Sequence, residues 1–106
     1  QKLLIDQAIM ECMTNCARHA GGTRVFVKIT NNKVLCKVQI TNNGKKPAEG
    51  SQEGGGLTSL RKTVEREGGK MQVIFSPEFE LILLLSHEKD REIKSSEEVT
   101  VKILNS

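Results

Sequence analysis

The chain has 106 residues, enough for one small domain with a modest core, and its net charge is only +3. Basic residues alternate with acidic ones along the chain, which argues against a nucleic-acid-binding surface. No apolar run is long enough to span a bilayer, and no signal peptide is recognisable. We expect a cytoplasmic domain. Because the chain begins with Gln1, we also expect a piece of a longer parent protein, which could itself be membrane-anchored.

The first predicted element is a helix over residues 2–20. Four of its residues recur at intervals of three and four and are predicted to form one buried stripe: Ile5, Ile9, Cys12 and Cys16. Gly21 and Gly22 follow, and glycine suits the left-handed conformation that ends many helices. The three cysteines, with Cys36 the third, are predicted to be core residues in a reducing compartment, because a metal site needs more ligands at closer spacing.

The tetrapeptide Ile-Thr-Asn-Asn occurs twice, at residues 29–32 and 40–43. The first copy lies between two alternating segments, so residues 23–41 are predicted to form a β-hairpin with this copy at its turn, where asparagine tolerates positive φ. The second copy leads into a polar loop, residues 43–56. Loops of this length inside a compact domain are usually functional or disordered.

After the loop, residues 57–69 are predicted to form a helix with a buried face made by Leu57, Leu60 and Val64. Two strands follow, at 70–75 and 79–85, around a turn containing Pro77. The order of elements predicts an α+β fold, with helices on one face of a mixed, mainly antiparallel sheet. We place the domain at residues 1–86. The tail, 87–106, has no assigned role, although residues 99–104 alternate and could add a strand.

Polar residues at spacings of four mark one face of the first helix: Glu11, Asn15 and His19. A carboxylate, an amide and an imidazole at the rim of a core could hold hydrated Mg²⁺ and phosphates, and a plain solvated face is the alternative. The second feature is Gly54-Gly55-Gly56 before a helix. Backbone N–H groups at a helix N-terminus bind phosphate, whereas the alternative is a flexible linker.

Three segments in register carry a resemblance to a known family. The segments "ECMTNCARHA" (11–20), "VQITNNG" (38–44) and "GGGLTSLRKTVEREGGKMQV" (54–73) resemble the N, G1 and G2 boxes of GHKL-type ATPases. Within that superfamily, the chain is most similar to the nitrate-sensor and desaturase-regulator branch of histidine kinases. The resemblance covers residues 1–86 and implies a two-layer α/β sandwich that binds ATP and Mg²⁺.

The resemblance also implies roles for individual residues. Glu11 matches the catalytic acid of the N box, which acts as base or polariser, and Asn15 matches the Mg²⁺ ligand. Loop 45–55 matches the ATP lid. The remaining matches are to nucleotide-binding positions: His19 near the phosphates, Asn42 at the adenine-reading position, Gly44 beside the base, and Gly54, Gly56, Leu57 and Thr58 at the phosphate-side helix start.

The chain departs from the family pattern at the base-binding end. Asn42 stands where the family has Asp, which loses the charge-assisted hydrogen bond to adenine and predicts roughly a tenfold weaker affinity. Lys46 replaces the second G1 glycine, and the loop lacks aromatic or aliphatic anchors. The segment "SPEFELIL" (76–83) replaces a glycine-rich turn.

The function implied by the resemblance is that of the ATP-binding domain of a two-component sensor histidine kinase. Such a domain presents Mg-ATP to a histidine on a separate dimerisation domain of a homodimeric parent, which then signals to a response regulator. Neither His19 nor His87 is a good phosphoryl acceptor, so the chain alone should not autophosphorylate. Two alternatives stay open: a degenerate domain kept as a protein-interaction module, and an anti-sigma-type serine kinase.

Overall fold

A computed structural model describes residues 2–86 and 96–102. These residues form an α+β fold, which confirms the predicted class. The elements, in chain order, are α1 (Lys2–Asn15), a π-helical turn (Cys16–Ala20), β1 (Arg24–Asn31), β2 (Leu35–Asn42), α2 (Gly55–Arg66), β3 (Lys70–Ile74), β4 (Glu80–Ser86) and β5 (Ser96–Lys102). Loop 43–54 joins β2 to α2. It is two residues shorter than predicted, because Gly55 and Gly56 already belong to α2.

The five described strands form one sheet in the order β3-β4-β2-β1-β5. Every described pairing is antiparallel, which confirms the predicted antiparallel character; no parallel pair, as a mixed sheet would have, occurs in this part of the chain. Two hairpins, β1–β2 and β3–β4, join through β2 and β4. The register sets Ile29 opposite Val38, Val38 opposite Leu83, and Leu83 opposite Met71. Apolar residues thus align across the sheet on one face.

The core lies between that face and the two helices. Alternate strand residues are buried, and α1 packs on β1 and β2 while α2 packs on β3 and on α1. The predicted buried residues of α2 are confirmed: Leu57, Leu60 and Val64. The predicted stripe of α1 is partly wrong. Leu4 and Ala8 lie at its centre with Cys12, and Ile5 and Ile9 are only partly buried at its margin, because a strict spacing of four runs from Leu4.

All three cysteines are buried as free thiols, which confirms the prediction that they are core residues. Burial raises the pKa of each thiol above its ordinary value. For Cys12 the pKa rises from 9.0 to about 12, through burial first and then through the charges of Glu11 and Cys16. The thiols are therefore protonated and unreactive at neutral pH.

The predicted β1–β2 hairpin is confirmed, but only Asn32 of the first Ile-Thr-Asn-Asn lies in its turn, because the other three residues belong to β1. The side-chain oxygen of Asn32 accepts hydrogen bonds from the backbone N–H groups of Val34 and Leu35, at 2.8 and 2.7 Å. Asn32 N–H also donates to the Leu35 carbonyl at 3.0 Å. The asparagine closes the turn through its side chain and not through a positive φ.

Part of the tail belongs to the sheet. Residues of β5 pair with β1, with Val99 opposite Val27 and Thr100 opposite Phe26. The predicted strand at 99–104 is therefore confirmed for residues 99–102, while 103–104 and His87 lie outside the described residues. No helix in the described residues is long and apolar enough to cross a membrane.

Candidate functional site

A cavity of about 400 Å³, called here the main cavity, opens where α1, β2, α2 and the β3–β4 turn meet under loop 43–54. Its polar lining residues are Asn15, His19, Asn42, Lys45, Ser51 and Gln52. Its other lining residues are Cys16, Ala20, Pro47, Ala48, Gly54, Leu57, Phe75 and Phe79. Cavities of this size with a few converging polar groups are typical of small-molecule sites.

Five of the nine site residues predicted from the sequence line the main cavity: Asn15, His19, Asn42, Gly54 and Leu57. The other four lie at its margins. Glu11 packs against Gly56 on the first turn of α2, and Gly44 packs against the Ala20 carbonyl. Thr58 is exposed one residue beyond Leu57, and its N–H donates to the Gly54 carbonyl at 3.0 Å.

The end of α1 supplies one wall of the cavity. Asn15 is the last α-helical residue, and the π-helical turn that follows carries Cys16, His19 and Ala20 to the cavity. Such turns widen a helix locally and are frequent at functional sites. Gly21, at φ 61°, then ends the helix in the left-handed conformation that was predicted from the sequence. Asn15 is half-buried and His19 is exposed, so both polar side chains are available to a ligand.

The second Ile-Thr-Asn-Asn ties the end of β2 to the end of the first helix. The side-chain oxygen of Asn43 accepts hydrogen bonds from the N–H groups of Thr23 and Arg24, both at 2.9 Å. The N–H of Lys45 donates to the Ala20 carbonyl at 2.8 Å. Asn43 of this copy therefore joins the end of β2 to the segment that follows the first helix, whereas Asn32 of the first copy only closes a hairpin.

Asn42 uses one side of its amide within the fold. Its Nδ2 donates to the Asn43 carbonyl at 2.6 Å, and a further hydrogen bond from the same side chain lowers the pKa of Cys16 against the larger effect of burial. Because Asn42 lines the main cavity and its Nδ2 is used within the fold, Oδ1 is the atom with which this side chain could accept a hydrogen bond from a ligand. An aspartate in this conformation would instead bring a carboxylate oxygen against the Asn43 carbonyl, and two acceptors at that distance repel.

The start of α2 offers backbone donors. Gly54 is the N-cap residue, with extended backbone at φ −88° and ψ −177°, and no side chain caps the helix there. The first N–H groups of any α-helix have no partner inside the helix, and the helix dipole adds partial positive charge. Because Gly54 lines the main cavity, these donors lie at its edge and can receive an anion such as phosphate.

Gly56 lies in close contact with the carboxylate end of the Glu11 side chain. A β-carbon there would lie 2.7 Å from Glu11 Cδ, whereas one at Gly55 would meet nothing within 4 Å. We expect Gly55→Ala to stabilise the domain by about 0.5 kcal/mol through helix propensity, and Gly56→Ala to gain nothing because the Glu11 carboxylate must move.

Urea denaturation of both variants, each with and without Glu11→Ala, measures this coupling. In the Glu11→Ala background, Gly56→Ala should raise the free energy of unfolding, and the effect of Gly55→Ala should be the same as in the native background. Equal free energies of unfolding for the two single variants would contradict the close contact.

An ion pair fixes the end of loop 43–54 to α2. Arg61 donates to both oxygens of Glu53, at 3.0 and 3.1 Å, and to the Met71 carbonyl at 2.6 Å. The neighbouring carboxylate raises the pKa of the Arg61 guanidinium. Since Glu53 directly precedes the N-cap Gly54, the pair holds the loop where the backbone donors of α2 begin.

We expect Arg61→Met to lower the free energy of unfolding by about 1 kcal/mol, a modest value because both side chains are about 30% exposed. Lys62→Met, at an exposed neighbouring position, is the matched control and should change little. Chemical denaturation at low and high salt checks the effect, which should shrink with salt. Equal losses for the two variants would contradict a specific pair.

Sequence reasoning missed the aromatic side of the cavity. Phe75 and Phe79 contact each other edge-to-face, with ring centroids 5.8 Å apart and an interplanar angle of 61°. They flank the β3–β4 turn, and Pro47 and Ala48 of loop 43–54 line the same cavity. Both phenylalanines lie outside loop 43–54, so the absence of aromatic or aliphatic anchors within the loop itself stays a prediction. Two phenylalanines on either side of a proline turn were the available signal.

No protein-family model matches the chain. Within residues 2–86 and 96–102, no group of three or more His, Cys, Asp or Glu side chains is placed to hold a metal ion. Mg²⁺ does not need such a group, because it keeps several waters and takes ligands from substrate phosphates. The side-chain oxygen of Asn15 and the donors at Gly54 fit a hydrated Mg²⁺ with attached phosphates.

Proposed function

We propose that this chain is the nucleotide-binding domain of a sensor histidine kinase of the GHKL superfamily, and that it binds Mg-ATP in the main cavity. One observation carries the proposal. Asn15 and His19 of the first motif, Asn42 of the second, and Gly54 and Leu57 of the third line one cavity, although the three motifs are distant in sequence. A chance resemblance gives no reason for them to converge.

The cavity has donors and acceptors suited to both ends of such a ligand. Lys45 can offset phosphate charge, and His19 and the backbone N–H groups after Gly54 can donate hydrogen bonds to phosphate oxygens. Asn15 would supply an oxygen to Mg²⁺. Asn42 would accept a hydrogen bond from the amino group of adenine through Oδ1.

In this proposal Glu11 acts from beside the phosphate end, because its carboxylate lies against Gly56 on the first turn of α2. From there it can accept a proton or polarise the attacking group. Bound ATP supplies the phosphoryl group, and the acceptor is a histidine on a separate dimerisation domain of a homodimeric parent, which passes the signal to a response regulator. Catalysis then rests on positioning and charge neutralisation.

A calorimetric titration with Mg-ADP and Mg-ATP tests the proposal. We expect micromolar dissociation constants for the native chain. Asn15→Ala should weaken binding at least about tenfold and reduce its dependence on Mg²⁺, as expected for the loss of a charge-directed ligand. Thr14→Ala is the matched control, since Thr14 is exposed on the same helix and bonds only within it.

Asn42→Asp separates the remaining alternatives. If only this variant binds, the chain is a domain silenced at one residue. If neither the native chain nor this variant binds either nucleotide, the proposal is wrong and the interaction-module alternative is favoured. Transfer of an acid-labile label from γ-phosphate to the isolated chain would contradict the role of a separate acceptor domain.

A further inference from the structure

The phenylalanine pair, Phe75 and Phe79, stands at the same end of the sheet as Asn42. The pairing of β2 with β4 ends at Thr41 opposite Glu80, and the pairing of β3 with β4 ends at Ile74 opposite Glu80. Just beyond these pairs, Asn42 follows Thr41 in β2, Phe75 follows Ile74 of β3, and Phe79 precedes Glu80 of β4. All three line the main cavity. A hydrogen-bonding amide and two aromatic rings thus share one end of the cavity.

The phenylalanine pair retains surface that a ligand can cover. Both side chains are only partly buried, although each packs against the core. Because their planes are inclined by 61°, one planar ligand can stack on the face of one ring and meet only the edge of the other. Phe79 lines the main cavity, whereas Phe75 lines both that cavity and a second one, of about 450 Å³, with Pro47 and Ala48. Phe79 is therefore the better candidate for the stacked ring.

The rest of the cavity narrows the class of ligand. An aromatic face beside an acceptor amide suits a flat heteroaromatic ring that carries an amino group. Gly54 and Lys45 also line the cavity, and they supply the backbone donors and the positive charge that an anionic group needs. A nucleotide combines both parts in one molecule. Stacking on aromatic side chains is a general way to bind bases, since every base has a π-face.

We propose that the phenylalanine pair is a base-stacking wall, with Phe79 contacting the face of the nucleobase. This inference rests on the proposed function and deepens it. Stacking on Phe79 supplies the base affinity that a neutral Asn42 provides less strongly than a carboxylate. Affinity for a nucleotide then depends on the phenylalanine pair, while affinity for its phosphates alone does not.

Titrations with Mg-ADP and with magnesium pyrophosphate separate the two ends of the site. We expect Phe79→Leu to weaken Mg-ADP binding at least about fivefold and to leave pyrophosphate binding within about twofold of the native value. Phe75→Leu should weaken Mg-ADP less. Phe26→Leu is the matched control, because Phe26 is 39% exposed on the sheet face away from the helices. It should change neither affinity.

A direct measurement does not depend on any variant folding. The chain has only three phenylalanines and no Tyr or Trp. In protein deuterated except at phenylalanine, nuclear Overhauser effects should join the Phe79 ring to the H2 or H8 protons of bound ADP.

The base-stacking wall is overturned if Phe79→Leu binds Mg-ADP as tightly as the native chain and no Overhauser effect joins bound ADP to Phe75 or Phe79. That result would leave the proposed function intact. If native protein binds neither Mg-ADP nor magnesium pyrophosphate, the proposed function and this inference both fail. If pyrophosphate and ADP bind native protein equally well, a phosphate site is present and only the base-stacking wall is wrong.

Discussion

Gly22→Ala should lower the free energy of unfolding by about 3 kcal/mol, whereas Gly21→Ala should cost about 1 kcal/mol. The two neighbours are glycine for different reasons. Gly21 has φ 61° with open space where a β-carbon would go, so alanine there brings only backbone strain. Gly22 is buried, and its β-carbon would lie 2.6 Å from Cys16 Sγ and 2.7 Å from Asn43 Oδ1.

The groups around Gly22 cannot easily yield. Asn43 Oδ1 is held by hydrogen bonds from Thr23 and Arg24, and Cys16 is packed in the core. A methyl group must therefore separate the end of the first helix from the end of β2, which also opens the main cavity. Chemical denaturation of both variants measures the difference. A loss at position 22 no larger than that at position 21 would contradict the close approach.

Alkaline pH should destabilise the domain through Cys12. Because burial holds the folded-state pKa at about 12 against an ordinary 9.0, the folded chain keeps a proton that the unfolded chain loses. The contribution of this group is complete below pH 9 and is lost as the pH rises toward 12. One pKa unit corresponds to about 1.4 kcal/mol, so about 2 kcal/mol is lost by pH 10.5.

The raised pKa values of Cys16 and Cys36 act in the same direction. Cys12→Ala isolates the part that belongs to Cys12, because alanine has no proton to lose. The absence of tyrosine from the sequence removes one other group that titrates in this range. Free energies of unfolding between pH 8 and 10.5 should fall more steeply for the native chain than for Cys12→Ala. Parallel curves would show that the Cys12 thiol ionises equally in both states.

Local pattern predicted the elements of this fold well, because each is encoded by neighbouring residues. The helix-ending glycines, the first hairpin and the buried face of α2 all follow from spacing and turn chemistry. The sheet was harder, since whether distant strands run parallel or antiparallel is decided by packing. The place of β5 beside β1 is such a long-range choice, which its alternating pattern could not specify.

Some residues of the candidate site could be found from local motifs, and others could not, because long-range packing places them. Asn15, His19 and Gly54 were identifiable because their neighbours form recognisable motifs, and they line the main cavity. Phe75 and Phe79 were not, since their approach to Asn42 depends on the register of β2, β3 and β4. The contact between Glu11 and Gly56 was equally hidden, because it joins two helices far apart in sequence.

The central claim is that the main cavity holds a nucleotide, and mapping Mg-ADP onto the backbone amides of ¹⁵N-labelled protein tests it most directly. The account predicts saturable shift changes concentrated at residues 15–20, 42–45, 54–58 and 75–79, with the sheet face around Phe26 and Lys37 unaffected. Changes confined to that opposite face, or no saturable change at millimolar Mg-ADP, would contradict it.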